Sequence, residues 1–167
     1  MRTGIALGSN IEPRLAHLQS ARRQVFGLHS GADPVLCSKV YETSPVDCPP
    51  GSPLFLNAVL ELSTTLEPET LLDEIKRIER ALGRPSSGEG NAPRVIDIDL
   101  LYCDKIAIST PNLTLPHPRI ACRRFVLRPL ADIQPKLLLP NLSKTIQELL
   151  EDLESDEIVS VYCDAIY

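Results

Sequence analysis

The stretch LFLNAVLELSTTLEPETLLDEIKRIERALG, residues 54–83, decides the fold because a strand pattern is followed at once by a helix pattern. Residues 54–65 are rich in side chains that favour strands. Side chains two apart on a strand point to the same face, so the alternate apolar residues from Leu56 to Leu62 predict a core-facing side. The same alternation turns Phe55 and Asn57 toward the opposite face.

The second half of this stretch predicts a helix that begins at Pro68. Apolar residues recur there at three- and four-residue steps and form one helix face, at Leu71, Ile75, Ile78 and Leu82. Gly83 follows the last of them, at a position where glycine commonly ends a helix.

The neighbouring segments extend this pattern to an α+β fold. Strands are expected at 2–7, 35–42, 54–65 and 95–103, and helices at 11–28 and 68–82. The order strand, helix, strand, strand, helix, strand is that of a ferredoxin-like antiparallel sheet with helices on one face. Ser9 or Asn10 is expected to cap the first helix. A turn at 104–105 is expected to pair the strand at 95–103 with a short partner at 106–108.

The last third of the chain is predicted to be a C-terminal elaboration of this sheet. Helical stretches are expected within 123–133 and 143–153, the second capped by Ser143, and a final strand at 158–162. With no internal repeat or break in composition, we interpret residues 1–167 as a single domain.

Composition narrows the functional classes. The 167 residues carry a formal net charge of −5, which is not the footprint of a protein that binds nucleic acid or an anionic membrane. No apolar segment approaches the length of a membrane span, and the first residues lack a secretory signal. The five cysteines are scattered without a paired motif, so reduced thiols and a cytoplasmic location are expected.

The strongest local signal is PRVIDIDLL, residues 93–101. On a strand, Asp97 and Asp99 project side by side while Ile96, Ile98 and Leu100 face the other way. Two unpaired carboxylates at one site repel each other, and divalent cations would remove that repulsion. Oxygen ligands without a nearby thiolate favour Mg²⁺ over zinc. Arg94 lies three residues before Asp97, close enough to contribute to a phosphate site at these aspartates. The alternative is a solvated polar strand face.

A second cluster is LPHPR, residues 115–119, followed by Arg123, Arg124 and Phe125. His117 lies between two prolines, which restrict the backbone and hold the ring in place. Near a phosphate, an imidazole donates a hydrogen bond and arginines bind oxygens in pairs. The alternative is a capping histidine beside solvated arginines.

Taken together, these segments resemble the 6-hydroxymethyl-7,8-dihydropterin pyrophosphokinases of folate biosynthesis. The matching pieces run in family order over nearly the whole chain: ALGSN (6–10), YETSP (41–45), FLNA (55–58), IER (78–80), GR (83–84), PRVIDIDL (93–100), LPHPR (115–119) and RRFVLRPL (123–130).

The resemblance implies a reaction in which the pterin hydroxymethyl oxygen attacks the β-phosphorus of ATP and AMP leaves. Asp97 and Asp99 would hold two Mg²⁺ ions that bridge the ATP phosphates. Arg94, His117 and Arg123 would contact the triphosphate, with Glu79 and Arg84 at the nucleotide site.

The resemblance also implies a pterin pocket. Phe55 and Phe125 would lie on either side of the pterin ring, and Asn57 would bind its polar edge. The backbone from Thr43 through Pro45 to Val46 would complete the pocket. Fusion to, or association with, another enzyme of the folate pathway is a further expectation.

Two departures from the family pattern leave an alternative open. Gly90 and Asn91 stand where an Arg-Trp pair is usual, and Asn112 stands where a basic residue is common. A non-catalytic pterin- or nucleotide-binding module is therefore the competing hypothesis. A ferredoxin-like RNA-binding domain lacks the aromatic motif and basic face that it would need.

Overall fold

The computed structural model describes residues 1–84 and 93–166. Eight strands and four helices lie in these ranges: β1 (Arg2–Ser9), α1 (Arg14–Phe26), β2 (Leu36–Cys37), β3 (Val40–Thr43), β4 (Phe55–Ser63), α2 (Pro68–Ala81), β5 (Asp97–Cys103), β6 (Ile108–Ser109), β7 (Thr114–Leu115), α3 (Arg124–Ile133), α4 (Ile146–Asp152) and β8 (Val159–Cys163). None of these helices is long and apolar enough to cross a membrane.

Six strands form one antiparallel sheet, in the order β5–β1–β4–β3–β8 with β2 also paired to β4. The predicted α+β class with an antiparallel sheet is confirmed. β1 lies between β4 and the edge strand β5, and its Gly8 is opposite Asn57 of β4 on one side and Asp97 of β5 on the other. Residues from two separate sequence motifs therefore meet at one end of the sheet.

Helices cover both faces of the sheet. α1 and α2 bury Leu18 and Ile75 against one face, where the predicted core-facing residues of β4 lie. α3 and α4 pack against the other face, over Val59 and Leu101. The expectation that helices lie on one face holds only for the first two, because the C-terminal elaboration forms a third layer.

The third layer explains a charged residue in the middle of β4. Glu61 is buried, and its carboxylate accepts hydrogen bonds from the Arg2 guanidinium, the Tyr102 hydroxyl and, at 2.8 Å, Gln134 Nε2. These donors replace water around the carboxylate, which would otherwise be costly to bury. Burial beside Glu61 also raises the pKa of Tyr102.

Three local predictions were wrong. Neither Ser9 nor Asn10 caps α1: the side chain of Asn10 instead accepts a hydrogen bond from the Arg94 backbone N–H at 2.8 Å. α4 is capped by Thr145 rather than Ser143, in a reciprocal box with Glu148. The segment after β5 turns at Asp104 as expected, but β6 pairs with β7 and not with β5.

Gly4→Ala is expected to lower the free energy of unfolding by about 3 kcal/mol, at the upper end of the usual cost of overpacking. A Cβ at Gly4 would overlap the ring of Tyr102 on the adjacent strand. Urea denaturation measures the change. The loss should be smaller in a Tyr102→Leu background, where the ring is absent, and an equal loss in both backgrounds would contradict the steric explanation.

Candidate active site

Two cavities meet at the end of the sheet where Gly8, Asn57 and Asp97 lie side by side. The first has a volume of about 260 Å³ and lies toward β3, β4 and the start of α3. The second has a volume of about 380 Å³ and lies between α2, β5 and the segment around β6 and β7. Both cavities share one wall, formed by Arg84, Asp97 and Asp99.

The shared wall contains the two aspartates of the strongest sequence motif. Both side chains line both cavities, while Ile96, Ile98 and Leu100 are buried in the core behind them. The pleat of β5 produces this arrangement, since residues two apart point to one face. Two carboxylates are thus presented to the same space.

Arginines balance these carboxylates. Arg84 donates to Asp97 Oδ1 at 2.5 Å, and Arg94 donates to Asp97 Oδ2 at 3.1 Å. On the other side, Arg123 Nη1 lies 3.7 Å from Asp99 Oδ2. The three arginines come from the end of α2, the segment before β5 and the segment before α3, so only the folded chain brings them together.

The charged form of the Asp99 carboxylate is disfavoured in the folded protein. Its surroundings replace much of its water and Asp97 lies beside it, and these two effects raise the pKa of Asp99 to about 6 despite the attraction of Arg123. The side chain still exposes 37% of its surface, so solvent moderates the effect. A cation that approaches the Asp99 carboxylate would stabilise its charged form.

Glu79 of α2 connects the helix to this wall. Its carboxylate accepts a hydrogen bond from the Ile98 backbone N–H at 2.8 Å and also pairs with Arg84. Burial raises the pKa of Glu79, while these two donors favour its charged form. Arg84 is therefore shared between Glu79 and Asp97.

His117 is held in a defined orientation at the second cavity. Its backbone N–H donates to the Leu101 carbonyl at 2.8 Å, which ties the segment to β5. Ring atom Nδ1 accepts from the Arg119 backbone N–H at 3.1 Å. Burial and the nearby Arg123 and Arg119 lower the pKa of His117 to about 4. The ring is thus neutral at pH 7, with Nδ1 as acceptor and the proton on Nε2, which can donate a hydrogen bond.

The first cavity combines aromatic rings with an oriented amide. Phe55 and Phe125 both line it, and the Arg123 guanidinium lies 5.3 Å from the centre of the Phe125 ring. Asn57 is buried and donates to Thr43 Oγ1 at 2.7 Å, which fixes its orientation. A Cβ at Gly8 would come within 2.8 Å of Asn57 Oδ1, so only glycine leaves this oxygen its space.

Nearly all the site residues predicted from the sequence line one of the two cavities. The first is lined by Thr43, Val46, Phe55, Asn57, Arg84, Arg94, Asp97, Asp99, Arg123 and Phe125. The second adds Glu79 and His117 to the shared wall. The exception is Pro45, which lines neither cavity. Gly90 and Asn91, at the departure from the family pattern, lie outside the described residues.

Sequence reasoning missed several lining residues. Asp47 and Cys48 follow the predicted Thr43–Val46 segment, and Asp47 Oδ2 lies 3.7 Å from Arg119 across the first cavity. Arg119 belongs to the quoted histidine motif, which was a usable signal. Lys76 lines the second cavity one turn before Glu79, and its helical spacing from Glu79 could have identified it.

The donor set fits a hard divalent cation that is bound jointly with a ligand. In residues 1–84 and 93–166, no group of three or more His, Cys, Asp or Glu side chains is placed to hold a metal ion. Mg²⁺ needs no such group, because it is commonly bound by one or two carboxylates with phosphate oxygens and water completing its shell. The paired carboxylates of Asp97 and Asp99 match that requirement.

Comparison with known proteins gives a consistent family. The family model described as 7,8-dihydro-6-hydroxymethylpterin-pyrophosphokinase (HPPK) matches residues 4–135. The 2-amino-4-hydroxy-6-hydroxymethyldihydropteridine pyrophosphokinase of Haemophilus influenzae is 34% identical over 157 residues, which cover 94% of this chain and 96% of that protein. The Bacillus subtilis protein of the same name is 40% identical over 129 residues, which cover 77% of this chain and 75% of that protein.

Longer relatives contain the same region as one part. The folate synthesis bifunctional protein of Arabidopsis thaliana is 35% identical over 158 residues, and the chain spans 29% of that protein's length. The crystal structure of Plasmodium falciparum HPPK-DHPS with pteroate aligns with a TM-score of 0.70 over 90% of this chain and 42% of that chain. At 16% identity, this likeness shows a shared fold.

Asp99→Asn is expected to raise the melting temperature of the metal-free protein at about pH 8, because ionised Asp99 lowers the free energy of unfolding when its folded pKa is raised. The gain should be full above the folded pKa of about 6 and should shrink as the pH falls toward 3.8, the usual pKa of an aspartate. Thermal melts in EDTA across this range measure it. Asp73→Asn, an exposed change on α2, is the control, and an equal gain at every pH would contradict the assignment.

Proposed function

Since the chain belongs to the 7,8-dihydro-6-hydroxymethylpterin-pyrophosphokinase family, we propose that it transfers a pyrophosphoryl group from ATP to the hydroxymethyl group of a reduced pterin and releases AMP. The observation that carries the proposal is the wall of Asp97, Asp99 and Arg84 between two cavities. A direct transfer needs both substrates at one point, and two cavities that share a charged wall supply it.

The first cavity is the proposed pterin site. Phe55 and Phe125 offer ring faces to a flat heterocycle, and Asn57 offers an amide to its polar edge. The bond from Asn57 to Thr43 and the space above Gly8 hold that amide in one orientation before the substrate arrives. Thr43 and Val46 line the same cavity.

The second cavity is the proposed nucleotide site. Glu79 and His117 line it, and the Nε2–H of neutral His117 would donate to a phosphate oxygen. Arg84, Arg94 and Arg123 already lie beside the aspartates, so their charges would be available to the triphosphate where the two cavities meet. Positive charges placed there would stabilise the negative charge that develops on the phosphates during the transfer.

Asp97 and Asp99 are the proposed ligands of two Mg²⁺ ions. Bound there with ATP, the ions would neutralise phosphate charge during the transfer. The aspartates would hold these ions in place, and the arginines that now neutralise the aspartates would be freed to bind phosphate oxygens. No covalent nucleophile of the protein is required, since the pterin hydroxyl attacks the β-phosphorus directly.

We also propose a partner enzyme and a location in the cell for this chain. The Arabidopsis relative is named a bifunctional protein of folate synthesis, and fusion or association with a second enzyme of this pathway is proposed for this chain as well. The scattered, free cysteines support a cytoplasmic location.

Purified protein with MgATP and 6-hydroxymethyl-7,8-dihydropterin should release AMP only when the pterin is present, as measured by chromatography of the nucleotides. Asp97→Asn should lower kcat by about 100-fold or more, because one phosphate-orienting carboxylate is lost. Asp164→Asn, at an exposed surface ion pair, is the control. Release of ADP would contradict pyrophosphoryl transfer, binding without any product would support the non-catalytic module, and full activity of Asp97→Asn would remove the metal assignment.

Phe55→Ala should raise KM for the pterin by about tenfold or more, because stacking on one aromatic ring contributes about 1–3 kcal/mol. KM for ATP should change little, since Phe55 lines only the first cavity. The matched control is Phe26→Ala, which removes a half-exposed ring of α1 away from both cavities. Steady-state kinetics with each substrate varied in turn separates the two effects, and a selective rise in KM for ATP would contradict the assignment.

A further inference from the structure

The basic side chains that line the two cavities differ in whether a carboxylate already holds them. Each arginine has an acidic partner: Asp97 for Arg84 and Arg94, Asp47 for Arg119 and Asp99 for Arg123. Lys76 lines the second cavity, and it has no ion-pair partner within residues 1–84 and 93–166. Lys76 can therefore bind a ligand without first breaking an ion pair with a carboxylate in the described part of the chain.

The helical repeat of α2 points Lys76 at the cavity. Leu72 lies four residues before it and Glu79 three residues after it, and all three line the second cavity. The neighbouring stripe of Leu71, Ile75 and Ile78 is buried against the sheet, which fixes the rotation of the helix. Lys76 thus lies at the edge of a rigid, packed face, with an exposed side chain long enough to reach an incoming ligand.

The charges that line the second cavity indicate a role for Lys76. Its lining has three carboxylates, on Glu79, Asp97 and Asp99, and two permanent cations, on Arg84 and Lys76. Arg84 is already bound to Glu79 and Asp97. A polyphosphate that enters the cavity meets these carboxylates, and the nearest cation, Arg84, is already engaged in ion pairs with two of them. An additional cation at the rim that has no such ion pair therefore favours entry of the polyphosphate.

We propose that Lys76 binds an anionic oxygen of the nucleotide in the second cavity and thereby sets the affinity for ATP. This inference rests on the proposed function in that it takes the second cavity as the nucleotide site. The contact forms on binding and lies on the α2 side of the cavity. Its contribution appears in nucleotide affinity, and the pterin cavity, which Lys76 does not line, is unaffected.

The test compares Lys76→Gln, Lys76→Arg and Arg80→Gln. Arg80 is an exposed cation one turn further along α2 that lines neither cavity, so it controls for the loss of one positive charge from the helix. The dissociation constant of the magnesium complex of α,β-methylene-ATP is measured by calorimetry at low and high salt, and KM and kcat are measured for both substrates.

Lys76→Gln should weaken binding of the analogue and raise KM for ATP by about tenfold at low salt, with a smaller loss at high salt because salt screens the charge. KM for the pterin should stay unchanged. Lys76→Arg should restore most of the affinity, and Arg80→Gln should behave as the unsubstituted protein. Equal affinities of Lys76→Gln and Arg80→Gln would overturn the inference.

The two proposals fail differently. If the unsubstituted protein releases no AMP but Lys76→Gln still weakens the analogue selectively, the reaction is wrong and the role of Lys76 stands. If AMP is released and Lys76→Gln binds the analogue normally, the reaction stands and the role of Lys76 is wrong. A thermal melt of each variant confirms that the fold is retained, as expected for an exposed side chain.

Discussion

The pairing of β1 with β4 on one side and β5 on the other is the constraint on which the site depends. Gly8 lies between Asn57 and Asp97 in this register, so the amide of one cavity and the carboxylate of the shared wall are neighbours across one strand. A shift by one residue would turn Asp97 and Asp99 away from the shared wall and into the core. The hydrophobic layers on both faces of the sheet make such a shift costly, and the same layers thereby hold the polar site in place.

Electrostatic balance is the second constraint. Like charges on adjacent positions of one face are unfavourable, and the protein offsets them with cations from three separate segments. Burial and the neighbouring Asp97 keep the pKa of Asp99 raised to about 6, which the nearby arginines offset only in part. Paired carboxylates that are offset in this way are compatible with a folded protein, and a cation that binds to them stabilises their charged form further. In the proposed reaction, that gain couples binding of metal to binding of the nucleotide.

Much of this arrangement could be predicted from particular residues. The alternation from Leu56 to Leu62 and the helical stripe from Leu71 predicted β4 and α2, and the α+β class followed from the element order. The resemblance to the pterin pyrophosphokinases is confirmed by the family match. The roles of Asp97, Asp99 and His117 stay predictions. Boundaries and caps failed where competing side chains were available, as when Asn10 bound the backbone of Arg94 instead of capping a helix.

The sequence by itself determined the local elements and the chemical character of each motif, because strand and helix periods and paired carboxylates are properties of neighbouring residues. Only the tertiary structure decided that Arg84 lies between Glu79 and Asp97 and that Arg119 faces Asp47. The physical reason is distance along the chain. Ion pairs and cavity walls between remote segments depend on how helices pack on the sheet, and no local period records that packing.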